Sequence, residues 1–158
     1  MERIDAILQD YRFIDGLARI QKLEANRIFC RHGLDHLLDV ARIAWIIALE
    51  QEIHLQKEII YAAALLHDLG RYRQYEDGTP HNVSGAELAL EILPDAGFSP
   101  EETGWIADAI RLHGNSSQGN ALTELLYRAD KLSRNCFQCA AQAQCKWEPE
   151  KRNTTIRY

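Results

Sequence analysis

The segment IIYAAALLHDL, residues 59–69, constrains this chain more than any other: it is apolar around nearly the whole circumference of a helix and ends on an adjacent histidine and aspartate. A helix without a polar face must be enclosed by other elements. The pattern predicts a central helix from about Leu55 to Leu69, stopped at Gly70, with neighbours on every side and with His67 and Asp68 carried into the interior. Imidazole and carboxylate buried there need partners.

The neighbours are also legible as helices. Residues 3–27 place Ile4, Ile7, Tyr11, Ile14 and Ala18 at steps of three and four, which predicts one packing helix with a single apolar stripe. From about Leu34 to Gln51, His36 shares a face with Val40, Ile43 and Ile47, so its ring is expected to point inward. RYRQYEDGTP, residues 71–80, has the glycine and proline of a loop, and His81 opens a further helical pattern that closes at Pro94. Ser99, Pro100 and Glu102 form a capping box with proline at the first helical position. The helix they start carries Ile106, Ala109, Ile110 and His113 on one face and ends at Gly114. After the polar connection GNSSQGN, Leu122, Leu126 and Asp130 recur at i, i+4 and i+8, so a carboxylate points where the leucines point.

No segment alternates with the period of a strand and no repeat is present. The expected fold is an all-α, single-domain helical bundle over residues 1–158, with a motif-bearing core at about 28–135 and a cysteine-containing tail, 136–158, that is polar and exposed from Trp147 onward. Eighteen basic against 23 acidic residues give a net charge of -5, which excludes a general attraction to nucleic-acid polymers. No stretch approaches the roughly 20 apolar residues of a membrane span, and MERIDAILQD lacks the basic and apolar regions of an export signal. The expectation is a cytoplasmic protein with no membrane partner. Apolar residues on outer faces leave room for a homodimer.

Four helical segments each bring a histidine or aspartate to an inward or terminal position. A lone histidine on an apolar face is more often a hydrogen-bonded core residue than a ligand, but this convergence reverses those odds for His36, His67, His81 and His113. His54, in the polar QEIHLQ connection, and His32 are read as ordinary structural residues, with His32 at i−4 from His36 the better placed to stand behind a ligand. The negative end of the helix dipole near Gly70 favours a cation beside His67 and Asp68. Mixed imidazole and carboxylate donors suit Fe, Mn, Ni or Zn better than Ca or Mg. No GxxxxGK[ST] loop or GxGxxG fingerprint is present, so neither a P-loop kinase nor a dinucleotide oxidoreductase is signalled.

Over roughly residues 28–135 the chain resembles the HD superfamily of metal-dependent phosphohydrolases, through His36 in DHLLDVARIA, His67-Asp68 in AALLHDLGR and Asp130 in LLYRADKLSR. His81 in PHNVSGAELALEIL and His113 in AIRLHG match the two extra histidines of the members that bind two metals. The resemblance implies one divalent transition metal at His36, His67, Asp68 and Asp130 and a second at Asp68, His81 and His113. It implies hydrolysis of a nucleotide or other small phosphate ester by water activated between two cations, with no serine or cysteine nucleophile. Arg71 and Lys131 are the cations expected to grip phosphate, with Asp68 at the catalytic centre, whereas Arg73 and Arg134 are as well explained as solvated side chains. A di-iron oxygenase on the same ligands and a non-catalytic sensory module that binds metal or nucleotide are the alternatives.

The cysteines stand outside that motif. Cys136, Cys139 and Cys145 form a C-x2-C-x5-C run, and Cys30 lies six residues before His36 just as Cys136 lies six after Asp130. Each offset is within about 9 Å along a helix axis, so the four could meet as a second metal site for structural Zn or an Fe–S cluster. Buried free thiols explain them equally well.

Overall fold

The computed structural model describes residues 1–114 and 119–158. Residues 115–118, the middle of the polar connection expected after Gly114, lie outside the described residues. Eight α-helices are present among the described residues, with no strand: α1 (Glu2–Gln9), α2 (Tyr11–Leu23), α3 (Leu34–Glu50), α4 (Lys57–Leu66), α5 (Arg71–Glu76), α6 (His81–Asp95), α7 (Pro100–Leu112) and α8 (Ala121–Leu132). Helix α4 packs against α1, α3, α6, α7 and α8. It is thus the central helix its uniform hydrophobicity demands. Ile59, Ile60 and every residue from Ala62 to Leu66 are buried, and the three consecutive alanines leave room for neighbours to approach closely.

The N-terminal pattern is broken into two helices where one was expected. Asp10 leaves the helical conformation and accepts a hydrogen bond from the Arg12 amide at 2.8 Å, which caps α2. Arg12 returns the contact to Asp10 and also reaches the Glu91 carbonyl and Asp95 at the end of α6. This link to a distant element holds the break in place. The break resets the helical phase, so Tyr11 and Ile14 are exposed at 76% and 53%, and Phe13, Gly16 and Ile20 face the core instead. The first helical pattern also stops at Leu23, before residue 27.

The expected loop at 71–80 is largely helix α5. Tyr72 is buried against Gly16, where an added Cβ would meet its ring at 3.3 Å, and the Arg19 guanidinium covers the other side at 4.1 Å from the ring centroid. Only Asp77–Pro80 remains as a turn, with Gly78 at φ +83 and the Asp77 side chain accepting from the Thr79 amide. Helix α7 has the capping box read from its sequence. Arg3 ties α1 to it through Glu102 and to α4 through Glu58.

From Trp147 onward the chain is polar and largely exposed, as expected, but the segment beyond α8 is not loose. It winds through single 3-10 turns at Cys136–Gln138, Gln142–Gln144 and Pro149–Lys151. The Asn153 amide donates to the carbonyls of Lys131, Leu132 and Arg134, the otherwise unpartnered end of α8. Arg152 does the same for the carbonyls of Trp147, Gln142 and Cys145.

Asp10→Ala is expected to destabilise the fold by about 1 kcal/mol through loss of the cap. The Arg12 side chain lowers the Asp10 pKa against a smaller opposing effect of burial. A carboxylate with a lowered folded pKa stabilises fully above its unfolded value and loses that contribution as pH falls through the folded one. Denaturant titrations should therefore show a constant gap between the two proteins above pH ~5 that shrinks below the usual carboxylate value of about 3.9. A gap unchanged into strong acid would refute the ionised cap.

Candidate metal centre

Five helix segments meet around Asp68. His67 and Asp68 leave the C-terminal end of α4 and are essentially inaccessible to solvent. His36 stands in the first turn of α3, Asp130 in the last turn of α8, His81 at the start of α6 and His113 just past the end of α7. Glycine makes the approach of α6 possible: a Cβ on Gly70 would lie 2.3 Å from Ser84 Oγ and 2.4 Å from both the Gly85 nitrogen and the His81 oxygen. Ser84 Oγ seals the contact by donating to the Gly70 carbonyl at 3.0 Å.

The two oxygens of Asp68 face different partners. Oδ2 lies 3.4 Å from His67 Nε2 and 3.5 Å from His36 Nε2, while Oδ1 lies 3.5 Å from His81 Nε2 and 3.9 Å from His113 Nε2. Asp130 Oδ1 closes the first group at 3.6 Å from His36 Nε2. His36, His67, Asp68 and Asp130 form one cluster that could hold a metal ion, and Asp68, His81 and His113 a second, with ligand atoms within 4.8 Å of one another in each. The six residues singled out from the sequence are brought together, and Asp68 belongs to both groups.

Each imidazole is oriented through its other nitrogen. His67 Nδ1 bonds the Ala64 carbonyl at 2.7 Å, His113 Nδ1 the Ile110 carbonyl at 2.6 Å and His81 Nδ1 the Gln74 side-chain oxygen at 2.6 Å. These acceptors place the proton on Nδ1 and leave the Nε2 lone pair turned to Asp68. His36 Nδ1 sits 3.3 Å from Ser133 Oγ, whose own proton goes to the Asp130 carbonyl, so the same tautomer follows.

Left to themselves these groups are badly satisfied. His36 Nε2, His67 Nε2 and both oxygens of Asp68 are buried without a hydrogen-bond partner. An orphaned buried polar atom costs on the order of 1–3 kcal/mol, more if charged. Four in one place, with their lone pairs converging, match the donor set of a divalent transition metal. The electrostatics agree for His81 and His113, whereas His67, which burial alone would lower, is raised on balance by the Asp68 and Asp130 charges and so answers them as a cation while no metal does. Burial and then the Arg71 charge push His81 down to about 4, and burial and then His67 push His113 down to about 4, so both are neutral donors at neutral pH. Burial opposes ionisation of Asp68 and Asp130, but His67 with Arg71 holds Asp68 well below the usual range, and His67 with Lys131 holds Asp130 at about 2.

Arg71 Nε lies 2.9 Å from Asp68 Oδ1, an ion pair whose N–H is not aligned as a hydrogen bond. Lys131 Nζ meets Asp130 Oδ2 at 2.5 Å. Sequence reasoning undervalued His32. It is buried before the start of α3, and its Nε2 faces Asp68 Oδ2 at 3.9 Å. Its ring and amide are held by Glu24, which is itself buried and also takes the Tyr75 hydroxyl. Burial alone would raise the Glu24 carboxyl, but hydrogen bonds from His32 and Tyr75 bring it to about 2. The i−4 spacing from His36 was the one available signal; Glu24 and Tyr75 gave none.

The four cysteines carry free thiols, Cys30 on an exposed residue and the others half-buried. Desolvation raises the Cys30 thiol; Arg134 lowers it, and Cys136 and Cys139 raise it further. Among the described residues, no three sulfurs close into a ligating group; the groups that do are made of histidine and aspartate.

The family model for the HD domain matches residues 33–135. An uncharacterized protein of Clostridium beijerinckii is 46% identical over 158 residues, the whole of both chains. YueE of Bacillus subtilis, which carries the provisional name of phosphohydrolase, is 32% identical, covering 68% of this chain and 69% of its own. The crystal structure of a predicted HD superfamily hydrolase from an uncultured Thermotogales bacterium superposes with a TM-score of 0.64 at 22% identity, over 96% of this chain and 87% of that one, and so shares the fold.

Gly70→Ala should drive a methyl group into the backbone of α6. A cost of about 3 kcal/mol is expected from such overpacking, read as a lowered midpoint in thermal or denaturant unfolding. An unchanged midpoint would mean that α6 does not depend on this close approach.

Proposed function

The chain belongs to the HD domain family, and from that membership we propose that it is a metal-dependent phosphohydrolase acting on a nucleotide or other small phosphate ester. The observation that carries the reading is Asp68: a fully buried carboxylate with neither oxygen hydrogen-bonded, each turned to a different set of imidazole nitrogens, and with Arg71 ion-paired to Oδ1 alone. That arrangement suits a carboxylate shared between two cations. His36, His67 and Asp130 would complete one position, and His81 and His113 the other. When bound, such a pair supplies a water of lowered pKa at neutral pH and Lewis acidity toward a phosphoryl oxygen.

The chain's own residues supply the rest. The hydrogen bonds at Nδ1 fix each ring before any ligand arrives, so little ordering remains to be done on binding. Asp68 and His67 are closed to solvent, while His36, Asp130, Arg71 and His81 are partly open, so substrate reaches the centre from their side. Arg71, anchored on Asp68 Oδ1, presents its remaining guanidinium donors at that opening, where they can orient a phosphoryl group. Lys131 brings a second cation to the Asp130 side. Two cations at the mouth of the centre favour an anionic ester over dioxygen as the reactant.

The test is phosphate release from a panel of nucleotides and small phosphate esters with added Mn, Fe or Ni. Turnover should require metal, vanish with chelator and vanish in Asp68→Ala with helicity retained, and Arg71→Ala should lower it about a hundredfold. Turnover that survives in Asp68→Ala would defeat the assignment.

A further inference from the structure

A cavity of about 560 Å³ opens between the end of α3, the outer face of α8 and the turns that follow α8. Its size is that of a site for a small ligand. Arg128, Lys131, Arg134, Lys151 and Arg157 line it against a single acidic side chain, Glu50, in a chain whose net charge is -5. The positive charge is therefore local and is not a reflection of composition. Of the five cations, only Lys131 has an ion-pair partner among the described residues. Like charges left side by side repel, and the natural complement of such a concavity is a polyanion.

Aromatic faces stand among these cations. Trp147 is 42% exposed and lines the cavity, with the Arg134 guanidinium 4.1 Å and Lys131 Nζ 5.8 Å from its ring centroids. Lys131 also lies 5.3 Å from the centroid of Tyr127. An accessible indole among cations is a stacking platform for a planar ring that carries negative charge. The platform is held in place, because Arg152 donates to the Trp147 carbonyl and Asn153 fastens the segment to the end of α8. Lys131 links the cavity to the metal centre: it lines the one and binds Asp130 of the other.

We propose that this cavity seats a nucleoside diphosphate or triphosphate, with its base on Trp147 and its phosphates among Lys131, Arg134 and Arg157. Trp147, Lys151 and Arg157 lie beyond the residues 33–135 matched by the family model, so the site joins the end of α8 to a segment outside that match. That its phosphate end is directed toward Asp130 rests on the hydrolase reading; binding in the cavity does not.

Calorimetric titration of the full-length protein with adenosine 5′-(α,β-methylene)diphosphate, a nucleotide that resists cleavage, tests it against adenosine and methylenediphosphonate. The nucleotide should bind about tenfold or more tightly than either fragment, and Trp147→Ala and Arg157→Ala should each weaken it about tenfold while metal content and helicity stay as in the parent protein. No binding of the nucleotide, equal binding of methylenediphosphonate, or unchanged affinity in both variants would each overturn the proposal. The two readings fail separately: nucleotide binding without any phosphate release defeats the hydrolase and keeps the cavity, and phosphate release with no weakening in Trp147→Ala and Arg157→Ala does the reverse.

Discussion

The carboxylate of Asp68 is the point on which the structure depends. It is buried at the end of the most apolar helix in the chain, and five imidazoles and an arginine are turned toward it. Such a group is tolerated only where its charge is answered. Helices α3, α6, α7 and α8 can be understood as the means of bringing those answers to it. Gly70 and Ser84 let α6 come close enough for His81, and the end of α7 sets His113. Even so, both oxygens remain without hydrogen bonds, and the hydrogen-bonded Nδ1 atoms turn every lone pair inward. The interior is arranged around a buried carboxylate whose charge Arg71 answers on one oxygen and whose hydrogen-bonding capacity the chain leaves unfilled.

Much of this arrangement is local in sequence and therefore legible. An apolar segment ending in His67-Asp68-Leu69-Gly70 needs only the helical period and a stop signal to be read, and the capping box at Ser99 is a short-range pattern of the same kind. His36, Asp130 and His113 are found because each sits in phase with buried aliphatic residues. His81 has no such phase; its place at the opening of a helix singled it out, and the family likeness added its role at a second metal.

What was missed depends on contacts between distant segments. Nothing near Asp10 marks it as a break rather than a polar position on one long helix; the decision is made by Arg12 reaching α6. RYRQYE is too short to show a period, and it folds as helix because Tyr72 finds Gly16 on α2. His32 faces the metal centre because Glu24, buried with Tyr75, holds its ring. The segment beyond α8 reads as a polar tail because its order comes from side-chain donors to backbone carbonyls, a pattern without hydrophobic period. In each case tertiary contact overrides a correct reading of local pattern.

Diffraction from crystals grown with Mn, with data collected for its anomalous signal, tests the central claim most directly. The account predicts two peaks roughly 3.5–4 Å apart, one on each side of the Asp68 carboxylate, with His36, His67 and Asp130 around the first and His81 and His113 around the second. An anomalous map with no peak at Asp68, while Mn binds elsewhere on the protein, would contradict it.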